Sequence, residues 1–443
     1  MSSAIRETIG RLVLLILVSL VATGPLLVGV YPIIPGAFIP VFVVLFSFYA
    51  YRDAKVTRAK QVVLALLSIS IVLTLCELIS RPIMAYLRDD RPSQISPHSM
   101  SRLPQLYRYL KNVRYQDTYY GDLAIMAHKK EWREPRELRF ITDEFGFRNE
   151  PGKPEDQSKE LDLIMLGDSF GEGLGTTQDL TWSTLLERNH GFKTYNLSID
   201  GAGPWQEYVN LLLEIDRLRI NEKTIVVWAL FSGNDLGDEY LPQLEKENLP
   251  WLSMFGSFRN SLKVFRDNSQ LRRIAMSAFT EPIPEQVFVR TFLDGKPLPF
   301  YRLYVGRTRL SLDEVVGHPN YEMLRETIKA MRKLADQKRF EVLIVSVPCK
   351  EEVYSWAVAE EEPWTVSKEP SGFSRALQAL SSEAQFQFLD LKPALIAASP
   401  SEFKESGKLL YWRDDTHWND SGHRVAASIV SREVESIRSS KKK

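Results

Sequence analysis

Four short segments carry the residue types of a serine-based acyl-transfer site: Gly-Asp-Ser-Phe at 167–170, Asn-Leu-Ser-Ile-Asp-Gly at 196–201, Gly-Asn-Asp at 233–235 and Asp-Asp-Thr-His at 414–417. A serine hydroxyl is a weak nucleophile near neutral pH, so Ser169 needs a base within hydrogen-bond reach. The imidazole of His417 titrates close enough to neutrality to serve. A carboxylate, Asp414 or Asp415, would hold the imidazole in one tautomer and stabilise the imidazolium. As an acyl carbonyl becomes tetrahedral its oxygen gains charge, and N–H donors aimed at that oxygen stabilise it; losing one typically costs about 3 to 4 kcal/mol. Any one of these segments alone is an ordinary turn, because Gly, Asp and Asn favour turns for local reasons. Four in order, in a chain with only six histidines, point to a site.

The first three segments each follow or end an apolar run that has the character of a buried strand. They therefore fall at carboxyl ends of strands, where open α/β sheets hold their ligands. The alternation along the chain predicts an α/β fold with a five-stranded parallel sheet flanked by helices. Strands are expected at 161–166, 194–198, 224–231, 342–347 and 386–391. Helices are expected around 182–186, from Pro204 with apolar residues at Trp205, Tyr208, Leu212 and Ile215, and at 321–335, 372–382 and 422–434. The 236–319 stretch is too long for a simple connection and should carry short elements of its own, among them a hairpin at Asp294-Gly295-Lys296. Rooted beside Asn234, this insertion could cover the site and shape substrate choice, or be a decorative subdomain with no part in it.

In order and setting the four segments resemble the sequence blocks of the SGNH, or GDSL, hydrolase superfamily of esterases, lipases and O-acyltransferases. The resemblance runs from about 161 to 434, interrupted by the insertion. It implies a flavodoxin-like three-layer sandwich with Ser169 as nucleophile, the Ser169 backbone, Gly201 and Asn234 as oxyanion donors, and His417 as base. The family's Asp-x-x-His spacing selects Asp414 as the acid, and the block order of the whole chain favours it. The wording Asp-Thr-His-Trp at 415–418 instead resembles alginate-type O-acetyltransferases and selects Asp415. Those enzymes place this segment ahead of their serine, so the likeness to them is local. Pro348-Cys349-Lys350, after the fourth strand, resembles a Pro-x-Lys segment of membrane-linked relatives, in which Lys350 would bind a substrate hydroxyl or anion.

Residues 12–51 contain not one charge and are broken by Pro32 and by Pro35-Gly36. The run predicts a hairpin of two spanning helices, 12–31 and 33–51, each close to the roughly 20 residues a bilayer requires. A third apolar segment starts at Val62 but carries Glu77 and Arg81, so two or three spans are expected within residues 1–85. Arg6 and Arg11 precede the first span, while Arg52, Lys55, Arg58 and Lys60 follow the second. Positive loops stay inside, so with three spans everything after about residue 85 is extracytoplasmic.

Residues 86–160 are polar and aromatic, with several prolines and no sustained periodicity. They have the character of a strap that leaves the membrane and packs on the 161–437 domain. Within it Asp143–Asn149 resembles a segment found before the first block in membrane-anchored relatives, and its physical role is expected to be a surface turn around Gly146. The chain balances 56 basic against 56 acidic residues, which points away from nucleic acid. The two cysteines are too far apart in the predicted architecture to pair. There is no thiolate cluster, no His-Glu-x-x-His and no glycine-rich phosphate loop, so neither a metal nor a cofactor is expected.

The sequence therefore describes a membrane-anchored serine esterase or O-acyltransferase acting, through an acyl-enzyme on Ser169, on acyl esters of an extracytoplasmic or periplasmic glycan. The acyl group is expected to be acetyl. Its partners would be an acylated glycan or small ester, the lipid bilayer and a membrane-bound acyl-transfer protein. The alternative is a non-catalytic envelope scaffold or glycan-binding protein that keeps the same fold.

Overall fold

The computed structural model describes residues 108–109, 111–127, 129–152, 160–237, 288–357 and 368–440. The predicted spans within residues 1–85 lie outside these residues, as does the strap before Arg108. Among the described residues no helix is long and apolar enough to cross a membrane.

Two strands of the strap, β1 (Arg114–Tyr119) and β2 (Arg136–Ile141), form an antiparallel pair, with the short helix α1 (Asp122–Met126) between them. The strap thus has more regular structure than its lack of periodicity suggested. β1 alternates exposed and half-buried residues until Tyr119, whereas β2 buries Arg136, Leu138, Phe140 and Ile141, so only β2 presents a mainly inward surface.

The domain then follows the predicted alternation. β3 (Leu163–Leu166), α2 (Ser169–Glu172), α3 (Trp182–His190), β4 (Thr194–Asn196), α4 (Pro204–Glu214) and β5 (Ile225–Phe231) make its first half. The hairpin β6 (Phe288–Leu293) and β7 (Lys296–Tyr301) follows, then α5 (Arg302–Thr308) and α6 (Leu312–Val316). The second half is α7 (Tyr321–Lys338), β8 (Glu341–Val347), α8 (Lys350–Val353), α9 (Gly372–Glu383), β9 (Gln387–Asp390), α10 (Lys392–Ser406) and α11 (Asp420–Ser440). The expected hairpin is present: Leu293 pairs with Lys296, and Asp294 and Gly295 both take positive φ, the twist a two-residue turn requires. Helix α10 was not anticipated; it contains Pro400 and no apolar stripe.

β4, β3, β5, β8 and β9 form one parallel sheet in that order, bearing out the five-stranded prediction. β5 is apolar throughout and buried on both faces, as the central strand of a covered parallel sheet must be. Leu163, Met165, Val227, Ala229, Leu343 and Val345 share one core with Trp182 and Leu186 of α3 and Ala426, Val430 and Val434 of α11. The opposite face takes α4, where Glu207 Oε2 accepts from Trp228 Nε1 at 2.6 Å. α7 packs beside α4, and its Leu324, Ile328, Met331 and Ala335 are buried as a stripe at helical spacing. Two helical layers around the sheet bring the loops after β3, β4 and β5 to one edge.

Candidate active site

Ser169 sits where β3 turns into α2. Asp168 caps the helix, its Oδ1 accepting from Phe170 N at 2.9 Å, and this fixes the residue just after the strand. The serine is 6 % exposed, so the turn leaves its hydroxyl reachable from one side. His417 comes from the 411–418 loop, whose ends are tied by a bridge between Tyr411 and Trp418. Its Nε2 lies 2.8 Å from Ser169 Oγ and its Nδ1 lies 2.6 Å from Asp415 Oδ1. The network assigns the tautomer: Nδ1–H donates to the carboxylate, which leaves Nε2 to accept the serine proton. Phe170 packs tilted at 5.0 Å from the imidazole and edge-on at 5.1 Å from Trp418, giving the base an apolar floor.

The preference for Asp414 as the histidine's partner is corrected by this geometry. Asp414 Oδ1 accepts from Arg136 Nη1 at 2.7 Å, and its Oδ2 accepts from the backbone N–H groups of Gly121 and Glu134, both at 2.8 Å. All its partners belong to the strap, and none is His417. Gly121 is required for this approach, since a Cβ there would lie 2.0 Å from the Asp414 carbonyl oxygen. Arg136 also donates through Nη2 to Asp415 Oδ2 at 2.5 Å. One buried guanidinium therefore holds both neighbouring carboxylates and leaves a single oxygen, Asp415 Oδ1, for the imidazole.

The electrostatics follow. Burial would raise the Asp415 carboxyl, but His417 and Arg136 prevail and hold it well below the usual carboxylate range. Burial depresses the His417 imidazole, yet the Asp415 charge and hydrogen bond outweigh it, so the base is stronger than a free histidine. Asp414 moves the other way: its burial exceeds the help from Arg136 and its carboxyl is raised.

Lys350 is also corrected. Its ammonium is buried, not open to a substrate, and donates to the carbonyls of Trp412, Arg413 and Asp415 at 2.9, 2.7 and 3.1 Å. An ammonium has three donors, and all three are engaged in shaping the loop that carries the acid and the base. Burial lowers its pKa to about 8.

Gly201 and Asn234 follow β4 and β5, the two neighbours of β3, so the sheet order brings their loops to the Ser169 edge. Gly201 is exposed and takes φ +71, a left-handed backbone that a side chain would strain. Asn234 lies near the Asp168 carboxyl and helps draw its pKa down against the larger raising by burial, and its amide nitrogen carries two hydrogens to offer. From the insertion, Arg307 donates to Gly233 O and Arg413 Nη1 donates to Leu293 O at 3.2 Å, so the described part of the insertion borders the site loops.

Sequence reasoning missed the strap's share of the site. Gly121, Asp122, Glu134 and Arg136 hydrogen-bond every residue from Arg413 to Thr416. The Tyr-Gly-Asp turn at 120–122 was the one local sign of them. The 143–149 segment is likewise not a surface turn. Asp143 is buried and accepts from Tyr195 OH at 2.6 Å, while Arg148, fully buried, donates to Gly173 O at 2.6 Å just behind the nucleophile's helix.

Among the described residues, Asp122, Asp415 and His417 form the group whose ligand-type atoms, all within 4.8 Å of one another, could hold a metal ion. These side chains are already hydrogen-bonded to each other, to Thr416 or to Arg136, so a cation would compete with bonds already in place. The donor set fits an acid–base relay better than a metal centre.

Residues 308–442 match the family described as the SGNH hydrolase-like domain of acetyltransferase AlgX. Among solved structures, the chain is similar to the acetyl xylan esterase AlAXEase (13 % identity, 61 % of this chain and 98 % of that one, TM-score 0.32). It is also similar to an extracellular lipase from Streptomyces rimosus (12 %, 61 % and 99 %, 0.33) and to phospholipase A1 from Streptomyces albidoflavus NA297 (11 %, 62 % and 100 %, 0.32). TM-scores this low leave the functional reasoning to the residues themselves. No curated protein matches the chain. The family match, which runs from the end of α5 past α11 and includes the 411–418 loop, supports a hydrolase or acyltransferase enzyme.

Proposed function

We propose that this SGNH hydrolase-like chain is a serine esterase or O-acyltransferase that works through an acyl-enzyme on Ser169, with His417 as base and Asp415 as acid. The observation that carries the reading is the continuous hydrogen-bonded line from Ser169 Oγ through both imidazole nitrogens to Asp415 Oδ1. Ser169 Oγ attacks the acyl carbonyl as its proton passes to His417 Nε2. The imidazolium is stabilised by Asp415 and then returns the proton to the leaving alkoxide. The developing oxyanion is met by the Ser169 and Gly201 backbone N–H groups and the Asn234 amide. Water or an acceptor hydroxyl then attacks the acyl-enzyme with His417 again as base, giving hydrolysis or transfer.

The substrate we favour is an acetyl ester of an extracytoplasmic glycan, supported by the AlgX-type match and by the charge pattern around the predicted spans. A fluorophosphonate should label the full-length protein once, at Ser169, with peptide mapping as the readout; ester cleavage without such labelling refutes the nucleophile assignment. In the same assay Asn234→Ala should lower kcat by roughly 100-fold with little change in KM. An effect confined to KM would move Asn234 from oxyanion stabilisation to substrate binding.

The membrane-anchored, outward-facing topology is part of this proposal. It rests on the uncharged run at 12–51 and the basic residues that flank it. A reporter active only in the cytoplasm, fused after Lys443, should stay silent. A strong signal would reverse the orientation or change the number of spans.

A further inference from the structure

One strap carboxylate beside the base is not used by the mechanism above. Asp122 opens α1, but its side chain does not serve that helix, whose N-cap is Gly121 with no side-chain cap. It turns instead to the catalytic loop: Oδ1 accepts from Thr416 N at 2.9 Å and Oδ2 from Thr416 Oγ1 at 2.5 Å. The same hydroxyl oxygen is 3.4 Å from His417 Nδ1, and the carboxylates of Asp122 and Asp415 share a 4.8 Å sphere with the imidazole. Two carboxylates thus flank one ring.

We propose that Asp122 is a positioning residue for the base: fixed through Thr416, its carboxylate is a second anion beside His417 and, with Asp415, keeps the imidazole basic enough to deprotonate Ser169. The inference rests on the serine-enzyme reading and extends it to a residue of the strap.

The physical case is Coulombic. An opposite charge within about 4–6 Å favours the charged form of a titrating group by 1–3 pKa units; Asp415 and His417 are buried and Asp122 half-buried, so solvent screens the pair only in part. The other charged groups around the pair do not cancel the effect. Asp200 and Asp168 are further carboxyls toward His417, the neighbouring His423 is kept neutral by burial, which lowers its pKa to about 3, and Asp414 faces the strap. Arg136 is bound by Asp414 and Asp415, and the Lys350 ammonium by three carbonyls. Tyr119 and Tyr304 are phenols whose pKa burial pushes up, so they stay neutral. Asp122 itself is raised to about 7 by burial and by Asp415, with His417 and Thr416 drawing it back, so its charge is linked to that of the imidazole.

The test is the ionisation of His417 in the full-length protein in detergent, read by NMR of its ring, one of six histidines, and in parallel by the pH dependence of fluorophosphonate labelling. Asp122→Asn keeps shape and hydrogen-bonding capacity but removes the charge. The ring should then titrate about one pH unit lower, with the midpoint of the labelling profile moving the same way. A ring that titrates as in the parent protein overturns the proposal. If the ring shifts and the labelling profile does not follow, Asp122 tunes His417 as proposed, and it is the assignment of His417 as the base for Ser169 that falls. Should Asp122→Asn not fold, Thr416→Val frees the carboxylate from its hydroxyl partner. It should lower the His417 titration by a smaller amount, and an unmoved ring in that variant also overturns the proposal.

Discussion

Asp415→Asn should lower kcat by on the order of 10⁴, while Asp414→Asn should leave kcat within about tenfold and act on stability instead. The two residues are adjacent and both buried, yet they do different work. Asp415 Oδ1 is the acceptor for His417 Nδ1–H. An amide at 415 can present a hydrogen there, which turns the ring to the tautomer carrying its proton on Nε2, where it cannot take the proton of Ser169. Asp414 accepts from two backbone N–H groups and Arg136, all in the strap. Its amide variant removes one of the two carboxylates that Arg136 binds and turns an N–H toward groups that themselves donate, at a cost of about 1–3 kcal/mol. Parallel kinetics and melting curves decide between the two. A large kcat loss in Asp414→Asn with a mild one in Asp415→Asn would return the acid to position 414 and require the loop to rearrange during turnover.

Ser169→Ala should be the most severe single change, reducing kcat by on the order of 10⁶ and abolishing covalent labelling, because removal of the nucleophile disables base and acid together. Stability should change little. The hydroxyl's hydrogen bond is to His417, and His417 keeps its stronger contact with Asp415. Residual turnover should be that of a site that still binds substrate and stabilises the oxyanion. A variant with undiminished ester cleavage and an intact melting curve would exclude Ser169 as the nucleophile.

Much of the sheet was legible because parallel strands covered on both faces are written as unbroken apolar runs. β5 and β8 were readable to within a residue at each end for that reason. Helix α7 was readable from its start because its buried residues recur at helical spacing, and it outran the prediction only at its polar end. Helix α10 was not, since its contacts come from neighbouring elements and not from a stripe of its own. The strap hid its structure for a similar reason: β2 buries Arg136 among its inward residues, a pattern that periodicity counts as polar.

The sequence by itself determined the chemistry available: a serine after a buried strand, a histidine preceded by two aspartates, and a glycine and an asparagine at the ends of the two neighbouring strands. Their residue types and the strand ends that carry them are local properties, which local patterns record. Only the tertiary structure decided which aspartate faces the imidazole and that Lys350 braces the loop. Spacing leaves both aspartates within reach of His417, and the choice belongs to Arg136, Gly121 and Glu134, contributed by a segment that precedes them by 278 to 293 positions. Hydrogen bonds of 2.5–2.8 Å are specific only once both partners are in place, and no pattern within the 411–418 loop encodes where a distant guanidinium will lie.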